Sequence, residues 1–203
     1  MAVEHIYKCC YFTFGRFQPP TIGHEENIAG VKNAAGSCDW RIYTSRSHDS
    51  KGKNPLRPEN KVSYMKKMFR QYARNIAGAK KDVIECLKDL QNEGYDDAVL
   101  VVGSDRVAAF QWIHKYNGKE YFFRKLDVVS SGNRDADGDT FAISGTKMRR
   151  AAFADDFATF RQGIPRALSD GECKKLMKEI ADALPSNFKW RVYTTSATSK
   201  KQS

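Results

Sequence analysis

Residues 14–24 read Phe14-Gly15-Arg16-Phe17-Gln18-Pro19-Pro20-Thr21-Ile22-Gly23-His24. On their N-terminal side runs Ile6 to Phe14, apolar and aromatic apart from Lys8 and Thr13, the composition of a strand buried on both faces. On their C-terminal side, His24 to Ala35 is compatible with a helix, with Ile28 and Val31 on one face and Gly36 as its stop. A strand that empties into a glycine-bearing turn and then a helix makes an anion site. The glycines admit backbone N–H groups close to the ligand, and the helix N-terminus carries partial positive charge. A turn that merely redirected the chain would need neither Arg16 nor His24, so the stretch carries more than a connection.

Outward from it, strands and helices alternate. Cys38 to Ser45 contains Trp40, Ile42 and Tyr43 and predicts a second strand. Residues Arg46 to Pro58 form a polar loop after that strand, where α/β folds place ligand contacts. Pro58 opens a helix whose Val62, Met65, Met68, Phe69 and Tyr72 recur at spacings of three and four, a core-facing stripe rather than a cofactor box. Lys80 to Glu93 predicts another helix, with Val83, Ile84, Leu87 and Leu90 inward and Gly94 as its end. Ala98 to Val102 is a buried strand opening into Gly103-Ser104-Asp105-Arg106 and a helix over Val107 to Lys115. Leu126 to Ser130 is a further strand, and Ser131 to Asp139 a Gly- and Asp-rich loop. Ser169 with Glu172 three residues on has the capping-box layout and predicts a helix to Leu184; the polar residues after Tyr193 read as disordered. The fold class expected is α/β, a Rossmann-like parallel sheet with helices on both faces plus a C-terminal helical segment. Residues 1–165 read as the Rossmann-like domain, and 166–203 as the C-terminal helix and flexible tail.

With 203 residues, 41% of them hydrophobic, the chain is long enough for one sizeable core. It contains no apolar run of about 18 residues and no basic-then-apolar leader, so no membrane span or signal peptide is expected. The five cysteines (Cys9, Cys10, Cys38, Cys86 and Cys173) show no metal-binding spacing and are expected to be reduced core thiols in a cytosolic protein. The net charge of +10 favours polyanionic partners, and between Arg41 and Lys81 only Asp49 and Glu59 oppose a dozen basic residues. That stretch is either a solvated face or a positive rim serving phosphates or nucleic acid. His5 and His114 lack a phosphate-binding turn, and His48, in the polar loop, reads as a surface residue.

A second phosphate-type motif follows late in the chain: Ile143-Ser144-Gly145-Thr146-Lys147-Met148-Arg149. Ser144 and Thr146 offer hydroxyls at a helix start, and Arg149, one turn in, offers a planar multi-donor head to the same anion. Together, Gly15-Arg16-Phe17-x-Pro19-x-Thr21-x-Gly23-His24 and Ile143-Ser-Gly-Thr-x-x-Arg149 resemble the two signatures of the nucleotidyltransferase superfamily, over roughly Tyr7 to Arg161. The opening of the first is nearest to the nicotinamide-mononucleotide adenylyltransferase branch. Lys53-Asn54-Pro55-Leu56, Gly103-Ser104-Asp105-Arg106, Lys115-Tyr116-Asn117-Gly118 and Asn133-Arg134-Asp135 also resemble phage-encoded nucleotidyltransferase-like proteins. Two departures bear on the acceptor: Thr21 stands where that branch usually has His, and Pro20 where it has Phe. Gly145 replaces the second Ser of the other signature and removes one hydroxyl.

The resemblance implies transfer of a nucleoside monophosphate, AMP from ATP ahead of CMP from CTP, to a phosphorylated small-molecule acceptor such as nicotinamide mononucleotide, with release of pyrophosphate. It implies His24, Thr21 and Arg149 as the catalytic set. It implies Gly15, Arg16, Phe17, Gly23, Ser144, Gly145 and Thr146 around the nucleotide, and Lys53 and Asp105 towards the acceptor. Mg²⁺ would bridge triphosphate oxygens and be held mainly by substrate, with no metal ligands from the protein. The location implied is cytoplasmic, the host cytoplasm for a phage-encoded chain. A homo-oligomer is compatible with the sequence. A nucleic-acid-binding protein on the same scaffold is the alternative of another class, supported by the basic stretch but lacking a recognisable reader motif. A class I aminoacyl-tRNA synthetase, which shares a His-x-Gly-His type motif, is disfavoured by length, by the lack of an anticodon-binding region and by the missing Lys-Met-Ser-Lys-Ser loop.

Overall fold

The computed structural model describes residues 6–49, 51–131 and 143–186. Five strands form one parallel sheet: β1 (Cys9–Gly15), β2 (Asp39–Ser45), β3 (Ile76–Lys80), β4 (Asp97–Val102) and β5 (Lys125–Ser130), in the spatial order β3-β2-β1-β4-β5. Seven helices accompany it among the described residues: α1 (Ile22–Ala35), α2 (Pro58–Met68), α3 (Val83–Asn92), α4 (Val107–Phe110), α5 (Gly145–Phe153), α6 (Phe157–Gln162) and α7 (Asp170–Ala183). The α/β Rossmann-like architecture is therefore as the alternation of elements predicts. The loop at 132–139 and the polar end of the chain lie outside the described residues.

Alternation along the strands builds a core on each face, because successive strand residues point to opposite sides. Ile42 packs on one side with Ile28 of α1, Met65 and Met68 of α2, Met148 of α5 and Leu176 of α7. Its neighbour Tyr43 packs on the other side with Phe12, Leu87 of α3, Leu100 and Tyr121. The predicted methionine stripe of α2 is thus core, and the Ser169–Glu172 capping box opens α7 as read.

Three local readings change. The helix expected from Lys80 starts only at Val83, after Asp82 caps it by accepting from the Glu85 N–H at 2.9 Å. Ile76–Lys80 is a strand instead, an edge strand added to β2 with a register irregularity at Ile42/Tyr43. The helix expected over Val107 to Lys115 is one short α turn followed by a 3-10 turn at Gln111–Tyr116.

The expectation of five reduced thiols is also corrected: Cys9 and Cys38 form a disulfide, while Cys10, Cys86 and Cys173 are free and buried. The cause is strand register. Cys10 pairs with Asp39 across β1 and β2, which brings the preceding residues, Cys9 and Cys38, side by side with Cα atoms 5.2 Å apart. No helix among the described residues is long and apolar enough to cross a membrane.

In this strand order β2 lies on one side of β1 and β4 on the other. The chain winds away in opposite directions from β1, which opens a crevice at the carboxyl ends of β1 and β4.

Candidate active site

A cavity of about 330 Å³ occupies that crevice. Its walls come from the end of β1 and the turn after it (Thr13 to Gln18), from α1 (His24, Asn27, Val31), from Lys53, from the end of β4 with Gly103 and Arg106, from Ser131, and from the start of α5 (Ser144, Gly145, Thr146, Arg149). Two helix N-termini, separated by more than a hundred residues of sequence, thus open onto one space.

The turn after β1 is shaped by packing. Phe17 takes a left-handed backbone with φ of 48°, a conformation that costs a non-glycine residue about 1–3 kcal/mol. Its ring lies buried against the His24 imidazole, centroids 4.8 Å apart. A Cβ on residue 15 would stand 2.8 Å from that ring, so Gly15 is what lets Phe17 fold back over the turn.

Thr21 caps α1 and lies behind His24, 1% exposed and off the cavity wall. Its backbone N–H donates to His24 Nδ1 at 3.0 Å, and its hydroxyl lies 2.8 Å from the same nitrogen. A nitrogen that accepts a backbone N–H carries no hydrogen of its own, so the neutral ring has its hydrogen on Nε2.

On the opposite wall, Ser144 caps α5 by accepting from the Lys147 N–H at 3.1 Å, which leaves its hydroxyl hydrogen to donate. Arg149 Nη2 donates to Thr146 Oγ1 at 3.1 Å, and Nη1 to the carbonyl oxygen of Gln18 at 2.5 Å. Its Nε is buried without a hydrogen-bond partner. Burial, with Arg16 adding to it and Asp49 opposing, pushes the Arg149 guanidinium down to about 10. It remains charged at neutral pH but under-compensated, a state that an incoming phosphate would relieve. Gly145 has a packing reason of its own: a Cβ there would stand 2.8 Å from the Gln18 carbonyl oxygen. The missing second hydroxyl of the motif follows from this close approach of main chain to helix.

The residues Gly15, Arg16, Phe17, His24, Lys53, Ser144, Gly145, Thr146 and Arg149, singled out in the sequence, therefore line one cavity. Thr21 stands behind it, and Gly23, in the first turn of α1, and Asp105, exposed on the turn after β4, are not on its wall. Gln18, Asn27, Arg106 and Ser131 line it without having been singled out. Arg106 was legible as a cation in a strand-ending turn, and Gln18 as a polar residue among apolar neighbours.

Arg16, Lys53, Arg106 and Arg149 give the wall four cations, and no Asp or Glu lies among the described lining residues. Among the described residues no group of three or more His, Cys, Asp or Glu side chains is placed to hold a metal ion. The described wall, with its four cations, fits anionic oxygens. The basic 41–81 stretch, by contrast, is partly neutralised. Arg41 pairs with Glu93 at 3.3 Å, Lys67 with Glu172 at 2.8 Å, Lys80 with Asp89 at 2.5 Å, and Arg46 with Glu85. Each of those four cations faces a carboxylate, which lowers the net positive charge of the stretch.

No curated protein sequence matches the chain. Among solved structures, it is similar in fold to a bifunctional NMN adenylyltransferase/ADP ribose pyrophosphatase from Francisella tularensis, with a TM-score of 0.52 and 14% sequence identity. The match takes in 88% of this chain and 53% of that one, so the chain corresponds to about half the length of the bifunctional protein. The Cytidylyltransferase-like family model matches residues 12–151, from the first strand to the helix that carries Arg149, and the chain therefore belongs to that family, within the nucleotidyltransferase superfamily.

Proposed function

We propose that the chain transfers a nucleoside monophosphate, AMP from ATP, to a phosphorylated small molecule such as nicotinamide mononucleotide, and releases pyrophosphate. The observation that carries this reading is the meeting of two helix N-termini, with His24 and Arg149, on one cavity whose charged side chains among the described residues are all cationic.

In the reaction, a phosphate oxygen of the acceptor attacks the α-phosphorus of the triphosphate. The bond from that phosphorus to the oxygen bridging to the β-phosphate breaks, and pyrophosphate leaves with the electron pair. Such a step needs no covalent residue. It needs alignment and fixed positive charge where negative charge grows. His24 donates from Nε2 to the α/β-phosphate oxygens, in an orientation fixed by Thr21. Arg149, the Ser144 and Thr146 hydroxyls and the free N–H groups at the start of α5, Gly145 among them, hold the β- and γ-phosphates. Gly15 and Phe17 bring main chain near the nucleotide, and Arg16 meets its phosphates. Lys53 and Arg106 receive the anionic part of the acceptor, with Asp105 at the rim beside Arg106. Magnesium enters as part of the triphosphate substrate.

A second reading, CTP as donor, is favoured by the description of the matching family. The test is pyrophosphate release from purified protein given each nucleoside triphosphate with a panel of phosphorylated acceptors. Release with ATP and nicotinamide mononucleotide supports the first reading, release with CTP the second. No release with any pair overturns both.

A further inference from the structure

Gln18 touches both walls of the cavity. Its side-chain amide is buried, 4% exposed, and fully used. Oε1 accepts the Leu56 N–H at 2.9 Å, and Nε2 donates to the Leu56 carbonyl at 2.9 Å, so the amide pairs with one residue's main chain as a neighbouring strand would. The second hydrogen on Nε2 goes to the Ser47 carbonyl at 3.1 Å. Ser47 and Leu56 stand near the two ends of the polar loop that carries Lys53 onto the cavity. Within that loop, Asp49 accepts from the Lys51 N–H at 2.9 Å, the Lys53 N–H at 3.3 Å and Asn54 Nδ2 at 2.5 Å, so the segment is built around one carboxylate. Burial raises that carboxyl, but the hydrogen bonds from Asn54, Lys51 and Lys53 outweigh it and hold it below its ordinary value. Meanwhile the main-chain carbonyl of Gln18 accepts from Arg149.

We propose that Gln18 is a positioning residue: its amide closes the two ends of the 46–57 loop, which fixes Lys53 relative to Arg149 and so sets the distance between acceptor and triphosphate. The catalytic part of this rests on the function proposed above; the clamp itself does not. The residue type matters. Leu56 and Ser47 together present one donor and two acceptors, and a neutral amide offers the complement, one acceptor and two donors. An ionised carboxylate would face two carbonyls, and a thioether would leave the Leu56 N–H without its partner.

The test compares the wild-type chain with Gln18→Met and Gln18→Glu. Arg46, Lys51 and Lys53 make the loop a trypsin substrate once it opens. Under native conditions both variants are expected to be cut between 46 and 57 about tenfold faster than wild type, with other sites unchanged. Pyrophosphate release should slow about tenfold while the triphosphate KM stays within about twofold, because Arg149 binds the main chain, which the substitutions leave in place. Cleavage in the loop at the wild-type rate, or equal acceleration at every site, overturns the proposal, as does a triphosphate KM that rises with the slowing. Should both variants fail to fold, hydrogen exchange on the wild-type chain decides. The Leu56 amide is expected to be protected well beyond the amides of the exposed Ser47 and His48, and equal exchange overturns the clamp. Proteolysis and exchange do not depend on turnover, so a chain that releases no pyrophosphate refutes the proposed reaction and leaves the clamp to be judged by these two readouts.

Discussion

The backbone N–H of Thr21 donates to Nδ1 of His24 at 3.0 Å, across the first turn of α1. The bond gives the imidazole one tautomer and one orientation, and makes Nε2–H the donor for a phosphate oxygen. His24→Ala is expected to lower the rate of pyrophosphate release by about 10²–10⁴, while the circular dichroism spectrum stays that of the wild type. Thr21→Val removes the hydroxyl and keeps the main-chain bond, and is expected to cost no more than about tenfold. Steady-state kinetics on the two variants checks this; equal losses would place the essential hydrogen bond on the hydroxyl instead.

Gly145→Ser would restore the hydroxyl that the superfamily motif usually carries, but its Cβ would press on the Gln18 carbonyl at 2.8 Å. The variant is expected to lose about 1–3 kcal/mol of stability and to bind triphosphate more weakly, because Arg149 is displaced from Gln18. Thermal melts and the nucleotide KM measure both. Tighter binding at an unchanged melting temperature would show that the main chain yields easily.

The Cys9–Cys38 disulfide closes a span of 29 residues that contains β1, the first motif and α1. Loop-closure entropy for that length corresponds to about 3–4 kcal/mol. Reduction with dithiothreitol is expected to lower the melting temperature of the wild type and to leave Cys38→Ser unmoved. An equal response in both would assign the effect elsewhere.

Lys61 is 0% exposed, with Nζ donating to the Ser45 carbonyl, and burial pushes its ammonium down to about 8. An unfolded lysine keeps its proton to about pH 10.4. Between those values the unfolded chain binds more protons than the folded one, so this group makes stability rise with pH across the window. Below pH 8 the full cost of the buried charge is present; above about 10.4 it is gone. The stability of Lys61→Met relative to wild type should therefore fall by about 2–3 kcal/mol from pH 7 to pH 10.5, read by denaturant unfolding of both. A difference that is flat with pH contradicts the assignment.

Much of this was legible in the chain. The strand–turn–helix at Phe14–His24 and the capped start at Ser144 are local patterns, and their residues reach the cavity because both follow the rules for helix starts. What was not legible depended on pairing across the sheet. Ile76–Lys80 carries little apolar signal and has Gly78 at φ of 112°; it is a strand because β2 offers it an edge. Cys9 meets Cys38 only through the β1–β2 register. Gln18 could be named from sequence but not its partners, since its contacts are to main-chain atoms at Ser47 and Leu56.

The most direct measurement is a crystal structure of the chain soaked with a non-hydrolysable nucleoside triphosphate. The account predicts the α/β-phosphates within hydrogen-bond distance of His24 Nε2 and the β/γ-phosphates against Arg149 and the N-terminus of α5. Phosphates bound elsewhere, or touching one of these two residues and not the other, would contradict it.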